Sequence, residues 1–255
     1  MLLGGRALAA DYLGTAPQGD AGKGAHLVKE RCAGCHGADG NSVAAAYPDL
    51  AGQNYNYLLK ELEDFRSGKR TAPPMNVLIK VLPAEPKDES LKDIAAFYSA
   101  QKLDRKAGTK APGSRPAQPV LTSGYDIYEH GLPEKGVPAC AACHMAAGDG
   151  NAPMAIPSLA GQLAQYTQSQ LQDFASGKRH NSPQHIMQTI SEALSARQIE
   201  AVAQQVRMLH PDAVPGARLP GFSAWVRARD HESVPGIPSE GGAGQSTPSG
   251  GSAQP

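Results

Sequence analysis

Two copies of the pattern Cys-x-x-Cys-His constrain this chain more than any other feature of its sequence. On a helical turn, residues three and four positions apart share a face, so the two thiols and the imidazole of each copy point the same way. This is the attachment pattern of a c-type haem, in which the thiols form thioethers with the porphyrin and the imidazole binds the iron. The sequence therefore predicts two covalently bound haem c groups. The predicted attachment cysteines are Cys32, Cys35, Cys140 and Cys143, and the predicted axial histidines are His36 and His144.

Two other chemistries also use paired cysteines. A zinc site built from cysteines, or pairs of redox-active thiols, are the alternatives. Neither explains a histidine directly after each pair, and the wide separation of the motifs argues against one shared metal. We therefore favour covalent haem.

The sequence around the two motifs is also repeated. The segment Pro48-Asp49-Leu50-Ala51-Gly52-Gln53 matches Pro157-Ser158-Leu159-Ala160-Gly161-Gln162, and a Phe-x-Ser-Gly-Lys-Arg run follows each segment. These matches share one constant offset of 109 residues, which indicates a duplicated domain. We expect a signal remnant or disordered start at residues 1–19, domains at 20–101 and 123–210, a linker at 102–122, and an extension with a disordered tail at 211–255.

Apolar residues at helical spacing predict the main helices of each copy. The predicted helices cover residues 20–31, 55–67, 87–101 and 195–209. Residues 71–76 contain two prolines and are expected to form an extended loop. Residues 132–139 are expected to be an insertion that the first copy lacks.

The ligand on the other side of each iron decides the chemistry. An iron with one protein ligand binds small molecules, whereas an iron with two mainly exchanges electrons. Met75 and Met187 each follow a Ser-Gly-Lys-Arg run, and a thioether is a soft ligand that raises the potential of haem iron. The alternatives are ordinary core methionines and, for the second copy, the nearby His180 and His185. We predict Met75 and Met187 as the second axial ligands.

Two kinds of residue are expected to support the haems. The backbone carbonyls of Pro48 and Pro157 are placed to accept a hydrogen bond from the axial histidines, although both residues could also be simple turn prolines. Four basic residues at the matched helix ends could face haem propionates or lie at solvated helix ends. They are Lys69, Arg70, Lys178 and Arg179.

Charge and hydropathy limit the partners and the compartment. The formal net charge is zero, so nothing indicates a nucleic-acid partner or a strong attraction to an anionic membrane. No apolar run reaches the roughly 18 to 20 residues of a transmembrane helix. Residues 1–10 end in an Ala-x-Ala pattern, which we interpret as the remnant of an export signal. Because bacteria attach c-type haem outside the cytoplasmic membrane, we expect a periplasmic protein, soluble or peripherally associated with the membrane.

These residues resemble the dihaem cytochrome c4 family of bacterial class I cytochromes c. The resemblance covers about residues 20–210 and rests on the paired haem motifs, the repeated Pro-x-Leu-Ala-Gly-Gln segments and the Phe-x-Ser-Gly-Lys-Arg helix ends. It implies an all-α fold of two tandem class I cytochrome c domains that face each other, each wrapped around one covalently attached haem with His/Met ligation. The chain departs from the family pattern at Met145, which replaces the usual glycine, in its long linker and in the extension from Pro211.

The resemblance also implies a function. We expect a dihaem electron carrier and not an enzyme, acting between a membrane or periplasmic donor, such as a cytochrome bc1-type complex, and a terminal oxidase or other acceptor. The alternative is an electron-transfer subunit of a periplasmic flavin or quinoprotein dehydrogenase, with the linker and the segment around Trp225 as docking elements; for Trp225 we favour packing on the chain's own domains. A third hypothesis, a dihaem enzyme, predicts that one iron lacks its methionine.

Overall fold

The fold is helical throughout the part of the chain that the structure describes. The structure is a computed structural model and describes residues 18–42, 44–83, 89–104 and 117–209. Within these ranges the only extended pairings are two isolated bridges, Leu132 with Val137 and Asn151 with Ile156. The all-α fold class is therefore confirmed. Among the described helices, none is both long and apolar enough to cross a bilayer.

Five helices lie in the described part of the first domain. Asp20 begins the first of them, because its carboxylate accepts the backbone N–H groups of Gly22 at 2.8 Å and Lys23 at 3.1 Å. Gly68, in the left-handed conformation, ends the third. The helices are α1 (Ala21–Arg31), α2 (Ala33–His36), α3 (Tyr55–Ser67), α4 (Pro73–Lys80) and α5 (Glu89–Ser99).

The second domain repeats this order. Its last helix begins with a capping box, in which Ser195 and Gln198 exchange side-chain-to-backbone hydrogen bonds. Short 3-10 turns occur at Pro133–Lys135 and Pro183–His185. The helices are α6 (Gln118–His130), α7 (Ala141–His144), α8 (Ala164–Ala175), α9 (Ile186–Glu192) and α10 (Ala196–Met208).

In each domain the first long helix packs closely against the last, α1 against α5 and α6 against α10. A glycine makes this approach possible. A Cβ atom added to Gly24 would lie 2.1 Å from the backbone oxygen of Asp93, and one added to Gly124 would lie 2.2 Å from that of Ala201. The two helix pairs therefore cross at the same place in both domains.

The buried apolar faces agree with the helical pattern of the sequence. The residues predicted to line one face of each terminal helix are all buried, and all but Ala203 belong to one of two separate apolar cores. They are Leu91, Ile94, Ala95 and Tyr98 in α5, and Ile199, Val202, Ala203 and Val206 in α10.

Two expectations about the chain differ from the structure. The prediction of an extended loop at residues 71–76 is wrong, because α4 begins at Pro73. Pro73 and Pro74 occupy the first helical turn, where backbone N–H groups have no intrahelical partner and the fixed φ of proline suits the helix. Helix α6 begins at Gln118, inside the range 102–122 expected as a linker.

Some expectations fall outside the described residues. The signal remnant, most of the linker and the segment around Trp225 belong to this group. Residues 132–139, expected as an insertion, form the turn at Pro133–Lys135 closed by the bridge between Leu132 and Val137.

Candidate haem sites

The first Cys-x-x-Cys-His motif forms one helical turn between α1 and the following loop. The N–H groups of Cys35 and His36 donate to the carbonyl of Cys32 at 3.1 and 3.0 Å. In the second motif, Cys143 and His144 donate in the same way to the carbonyl of Cys140, at 3.2 and 2.9 Å. Each motif thus has the local backbone that places its two sulfurs and its imidazole on one face.

Both motif histidines are buried and held by a backbone carbonyl. The Nδ1 atom of His36 lies 3.1 Å from the carbonyl oxygen of Pro48, and that of His144 lies 3.0 Å from the carbonyl oxygen of Pro157. These are the hydrogen bonds expected from the sequence. Because Nδ1 donates to the carbonyl, Nε2 is the nitrogen available to a metal. Burial lowers the pKa of both histidines, which favours the neutral imidazole, and the hydrogen bonds oppose this shift.

The two predicted methionine ligands lie against different cores. Met75, in the first turn of α4, is half-buried and packs against the first core. Met187, in α9, packs against the second core, and its N–H donates to the hydroxyl of Ser182 at 3.0 Å. The other methionines near the second motif, Met145 and Met154, are exposed.

The histidines near Met187 do not share its environment. His180 and His185 are both exposed, and Nδ1 of His185 is hydrogen bonded to the side-chain amide of Gln188 at 2.8 Å. His185 and the preceding Gln184 have positive φ values of 58° and 51°. The structure therefore favours Met187 over either histidine as the side chain that faces the second core.

The side chains around each motif fit a covalently bound haem. Each domain supplies two thiols, a neutral imidazole with a free Nε2 and a thioether, which is the donor set of a His/Met haem c. The first motif cysteine and the methionine of each domain pack against the same core. Burial raises the pKa of Cys32 and of Cys140 to about 11, so both are thiols at neutral pH. In the described part of the chain, no group of three or more His, Cys, Asp or Glu side chains could hold a bare metal ion.

A tyrosine lies beside the first cysteine of each motif, but it comes from a different helix in each domain. Tyr98 of α5 is fully buried beside Cys32. Tyr128 of α6 is beside Cys140, and its hydroxyl donates to the carbonyl of Met145 at 2.8 Å. The repeat in the sequence does not predict these tyrosines as site residues, because it aligns Tyr98 with Val206 and so places the two tyrosines at different positions of the repeat.

The cytochrome c family model matches this chain twice, over residues 21–102 and 122–209. Cytochrome c4 of Azotobacter vinelandii is 39% identical over 197 residues, which cover 74% of this chain and 88% of that protein. The crystal structure of reduced recombinant cytochrome c4 from Pseudomonas stutzeri superposes with a TM-score of 0.67 at 35% identity, covering 76% of this chain and all of that one. The chain belongs to the cytochrome c4 family. A thiosulfate dehydrogenase electron acceptor of Stutzerimonas stutzeri is also similar, with 38% identity over 80% of this chain and 88% of that protein.

Family membership establishes the cofactor and the general activity. This member of the cytochrome c4 family consists of two tandem cytochrome c domains, carries two haem c groups and transfers electrons.

The two domains of this cytochrome hold each other through an exchange of glutamine side chains. The amide of Gln53 donates to the carbonyl of Ser158 at 2.9 Å and accepts its N–H at 2.8 Å. The amide of Gln162 donates to the carbonyl of Asp49 at 2.9 Å and accepts its N–H at 3.0 Å. These residues belong to the repeated Pro-x-Leu-Ala-Gly-Gln segments, so the segment that carries the histidine-bonding proline also forms the domain interface.

The matched arginines lie in the same interface. Of the two alternatives for Arg70 and Arg179, the solvated helix end is wrong, because both arginines are buried. Each stacks on the phenylalanine of the helix that precedes it, Phe65 or Phe174. Of the four basic residues at the matched helix ends, Lys69 and Lys178 have side chains that are largely exposed, at 65% and 72%.

One carboxylate is shared by the two arginines. Glu61 lies 2.6 Å from Arg70 and 3.2 Å from Arg179 of the other domain. The residue matched to Glu61 is Gln170, whose side-chain oxygen accepts from both arginines at 2.7 and 2.9 Å. The arginines hold the pKa of Glu61 at about 2 despite its burial. The interface is therefore nearly symmetric in geometry but carries its carboxylate in the first domain alone.

Proposed function

We propose that this protein is a periplasmic electron carrier, and not an enzyme, in which each domain holds a haem between one histidine and one methionine. The observation that supports this most is that both domains present the same set of donors: a buried histidine with Nδ1 bonded to a proline carbonyl, and a methionine packed on the core of that domain. The proposed axial pairs are His36 with Met75 and His144 with Met187. The proposed attachment residues are Cys32, Cys35, Cys140 and Cys143.

Each residue has a defined task in this proposal. The bound haem supplies an iron that changes between the ferric and ferrous states. Pro48 and Pro157 fix the orientation of the histidine rings through the hydrogen bonds to Nδ1. The thioethers of Met75 and Met187 favour ferrous iron and so raise the potential. Two protein ligands on each iron leave no position for a substrate, which supports a carrier.

An electron carrier requires one protein that donates electrons to it and another that accepts them. We propose a membrane or periplasmic donor, such as a cytochrome bc1-type complex, and a terminal oxidase or other redox protein as acceptor. The alternative, a subunit of a periplasmic dehydrogenase, is supported by the similarity to a protein named a thiosulfate dehydrogenase electron acceptor. The native mass of the protein purified from its own cells separates these two: a carrier is isolated alone, whereas a subunit is isolated with a catalytic chain.

The ligand assignment is tested by intact mass and by spectroscopy of three variants. The wild-type mass should exceed that of the chain by two haems. Met75→Ala and Met187→Ala should each remove one of two methionine-to-iron signals, seen as the weak far-red absorption band and the shifted methyl resonance. Met154→Ala, at a methionine that is 69% exposed, is the control and should change neither. An unchanged oxidised spectrum in Met75→Ala or Met187→Ala would overturn that ligand.

A further inference from the structure

Asp49 is a buried carboxylate in the loop that joins the first haem site to the domain interface. Its side chain is among the buried polar groups, with 5% of the residue exposed. One carboxylate oxygen accepts the N–H of Ser42 at 2.7 Å. Both backbone groups of Asp49 are bonded to the amide of Gln162 in the second domain. The carboxylate therefore has a fixed position.

That position is adjacent to the groups that hold the first histidine. Pro48, the preceding residue, has the carbonyl that accepts from Nδ1 of His36. Ser42, which donates its N–H to Asp49, donates its hydroxyl to the carbonyl of Cys35 at 3.2 Å. Asp49 is thus next in sequence to Pro48, the residue that contacts His36. Through hydrogen bonds, Ser42 alone connects Asp49 to the first haem motif.

The charges around Asp49 disfavour its ionised form. Among the described residues no lysine, arginine or histidine forms an ion pair with it. The charged groups that act on it are the carboxylates of Asp39 and Asp104, and the residue facing it from the second domain is the neutral Gln162. Burial first, and then these two carboxylates, raise the pKa of Asp49 to about 6, although the N–H of Ser42 opposes the shift.

The second domain provides an internal comparison. The residue matched to Asp49 is Ser158, whose hydroxyl donates to the carbonyl of Gly148 at 3.1 Å. The backbone of Ser158 is held by Gln53, just as the backbone of Asp49 is held by Gln162. The two sites therefore share a loop and an interface contact, but only the first has a group at this position that titrates near neutral pH.

We propose that Asp49 is a proton-binding site coupled to the first haem: the carboxylate takes up a proton when the iron of that site takes up an electron, and releases it on oxidation. The proposal rests on the assignment of the first haem to His36 and Met75. In the balanced step, one electron from the redox partner converts ferric to ferrous iron, and one proton from water converts the carboxylate of Asp49 to the acid. Reoxidation returns both.

The direction of the coupling follows from charge. An ionised Asp49 stabilises the more positive ferric state, so it lowers the potential of the first haem. Reduction removes one positive charge from the site, so the proton binds Asp49 more tightly in the reduced protein. Electron and proton each favour the binding of the other by the same factor. The potential of the first haem should therefore fall as the pH rises through neutrality. The potential of the second haem should show no such dependence from the matched position, which is occupied by Ser158.

The test is a redox titration of the full-length dihaem protein between pH 5 and pH 8, with optical detection and with the methyl resonances of the methionine ligands used to assign each haem. In the wild type, the reduction equilibrium of the first haem should weaken about tenfold across this range, which is about 59 mV for a one-electron couple. Asp49→Asn should abolish this dependence. Ser158→Asp should introduce one at the second haem.

Asp39→Asn is the matched control, since Asp39 is an exposed carboxylate in the same loop. It should keep the pH dependence of the first haem and move its midpoint to lower pH. A pH dependence that survives unchanged in Asp49→Asn, or that disappears equally in Asp39→Asn, would overturn the proposal.

A second measurement does not depend on electron-transfer activity. The infrared difference spectrum between the reduced and oxidised protein at pH 6 to 7 should show the C=O band of a protonated carboxylic acid on reduction, and Asp49→Asn should lack it. Absence of this band in the wild type would also overturn the proposal. Failure of the underlying haem assignment is distinguishable, because Met75→Ala would then keep both methionine-to-iron signals, whatever the pH dependence.

Discussion

The two domains place the same groups at the same points in space with different residues. In the first domain α1 contributes Val28 and α5 contributes Tyr98, whereas in the second α6 contributes Tyr128 and α10 contributes Val206, and all four are buried. A tyrosine reaches the first cysteine of the motif in both cases. The comparison shows that both domains bury one valine and one tyrosine on their paired first and last helices, while the helix that provides the tyrosine differs.

Charge differs between the domains more than geometry does. Asp49 corresponds to Ser158 and Glu61 corresponds to Gln170, so in both pairs the carboxylate belongs to the first domain. The hydrogen bonds made by the backbone at these positions are nevertheless alike in the two halves. We infer that the two haems experience different electrostatic fields in nearly identical folds. Five sets of variants test at which matched positions the two domains behave alike and at which they differ.

The largest effect is expected at the shared carboxylate. Glu61→Gln leaves two buried guanidinium groups without the carboxylate that both contact, and removal of one partner of a buried ion pair costs about 3 to 5 kcal/mol. Gln170→Glu adds a second carboxylate between the same arginines and should not destabilise the protein. Chemical denaturation of the haem-loaded protein measures both. Equal losses from the two variants would show that charge at this interface is unimportant.

The next effect should be the same in both domains. Gly24→Ala and Gly124→Ala each place a methyl group about 2 Å from a backbone oxygen of the facing helix, so each should lose about 3 kcal/mol of unfolding free energy. Gly34→Ala is the control: its Cβ meets nothing within 4 Å, and the change reproduces the second motif. A loss in only one domain, measured by thermal denaturation, would show that the two helix crossings differ.

Asp49 should make the stability of the first domain depend on pH. Its pKa is raised from 3.8 to about 6 by burial, so the folded state binds the proton more tightly than the unfolded state does. The stabilisation is present below pH 4 and is lost as the pH rises through about 6, by about 2 kcal/mol after allowance for solvent screening. Asp49→Asn should flatten this part of the curve of unfolding free energy against pH. No change in slope would contradict the assignment.

The glutamine exchange should show nearly equal effects from its two halves. Gln53→Ala and Gln162→Ala each leave one backbone N–H and one carbonyl of the other domain without a partner, which should cost about 1 to 2 kcal/mol. Hydrogen exchange of the N–H of Ser158 should accelerate in the first variant, and that of Asp49 in the second. If either amide keeps its protection, the corresponding hydrogen bond is absent in solution.

The smallest effect is expected just after the second motif. Met145 has a φ of 65°, in the left-handed region, at the position where the first domain has Gly37 with a φ of 78°. Met145→Gly removes this backbone strain and should stabilise the protein by about 1 kcal/mol. Gly37→Ala should act in the opposite direction, because its Cβ would lie 2.3 Å from the carbonyl oxygen of Asn41. Differential scanning calorimetry resolves both changes, and a loss of stability in Met145→Gly would contradict the strain argument.

Local patterns in the sequence predicted the local features well. The helix at residues 55–67 has the predicted bounds, because its apolar spacing and the following glycine both act within the segment. The histidine contacts of Pro48 and Pro157 were also expected, since the loop that carries each proline is short. The helix at Pro73–Lys80 does not follow from the sequence pattern, because proline breaks the interior of a helix but is compatible with its first turn.

Features formed between the two copies were not predicted. The buried positions of Arg70 and Arg179, the shared Glu61 and the glutamine exchange all depend on how one domain lies against the other. Patterns along a single segment contain no information about that arrangement. One signal was available: Gln53 and Gln162 occur at the same place in the most similar part of the repeat, where packing within one domain does not require an amide.

The glutamine exchange has a consequence for how this protein can come apart. The loop that orients each motif histidine is completed by a side chain from the other half, so neither half contains all the bonds that its own loop requires. Cutting the chain between the halves would therefore leave two pieces with incomplete loops instead of two small independent cytochromes. Each half of the duplicated chain therefore depends on the other for the full set of hydrogen bonds in its histidine loop.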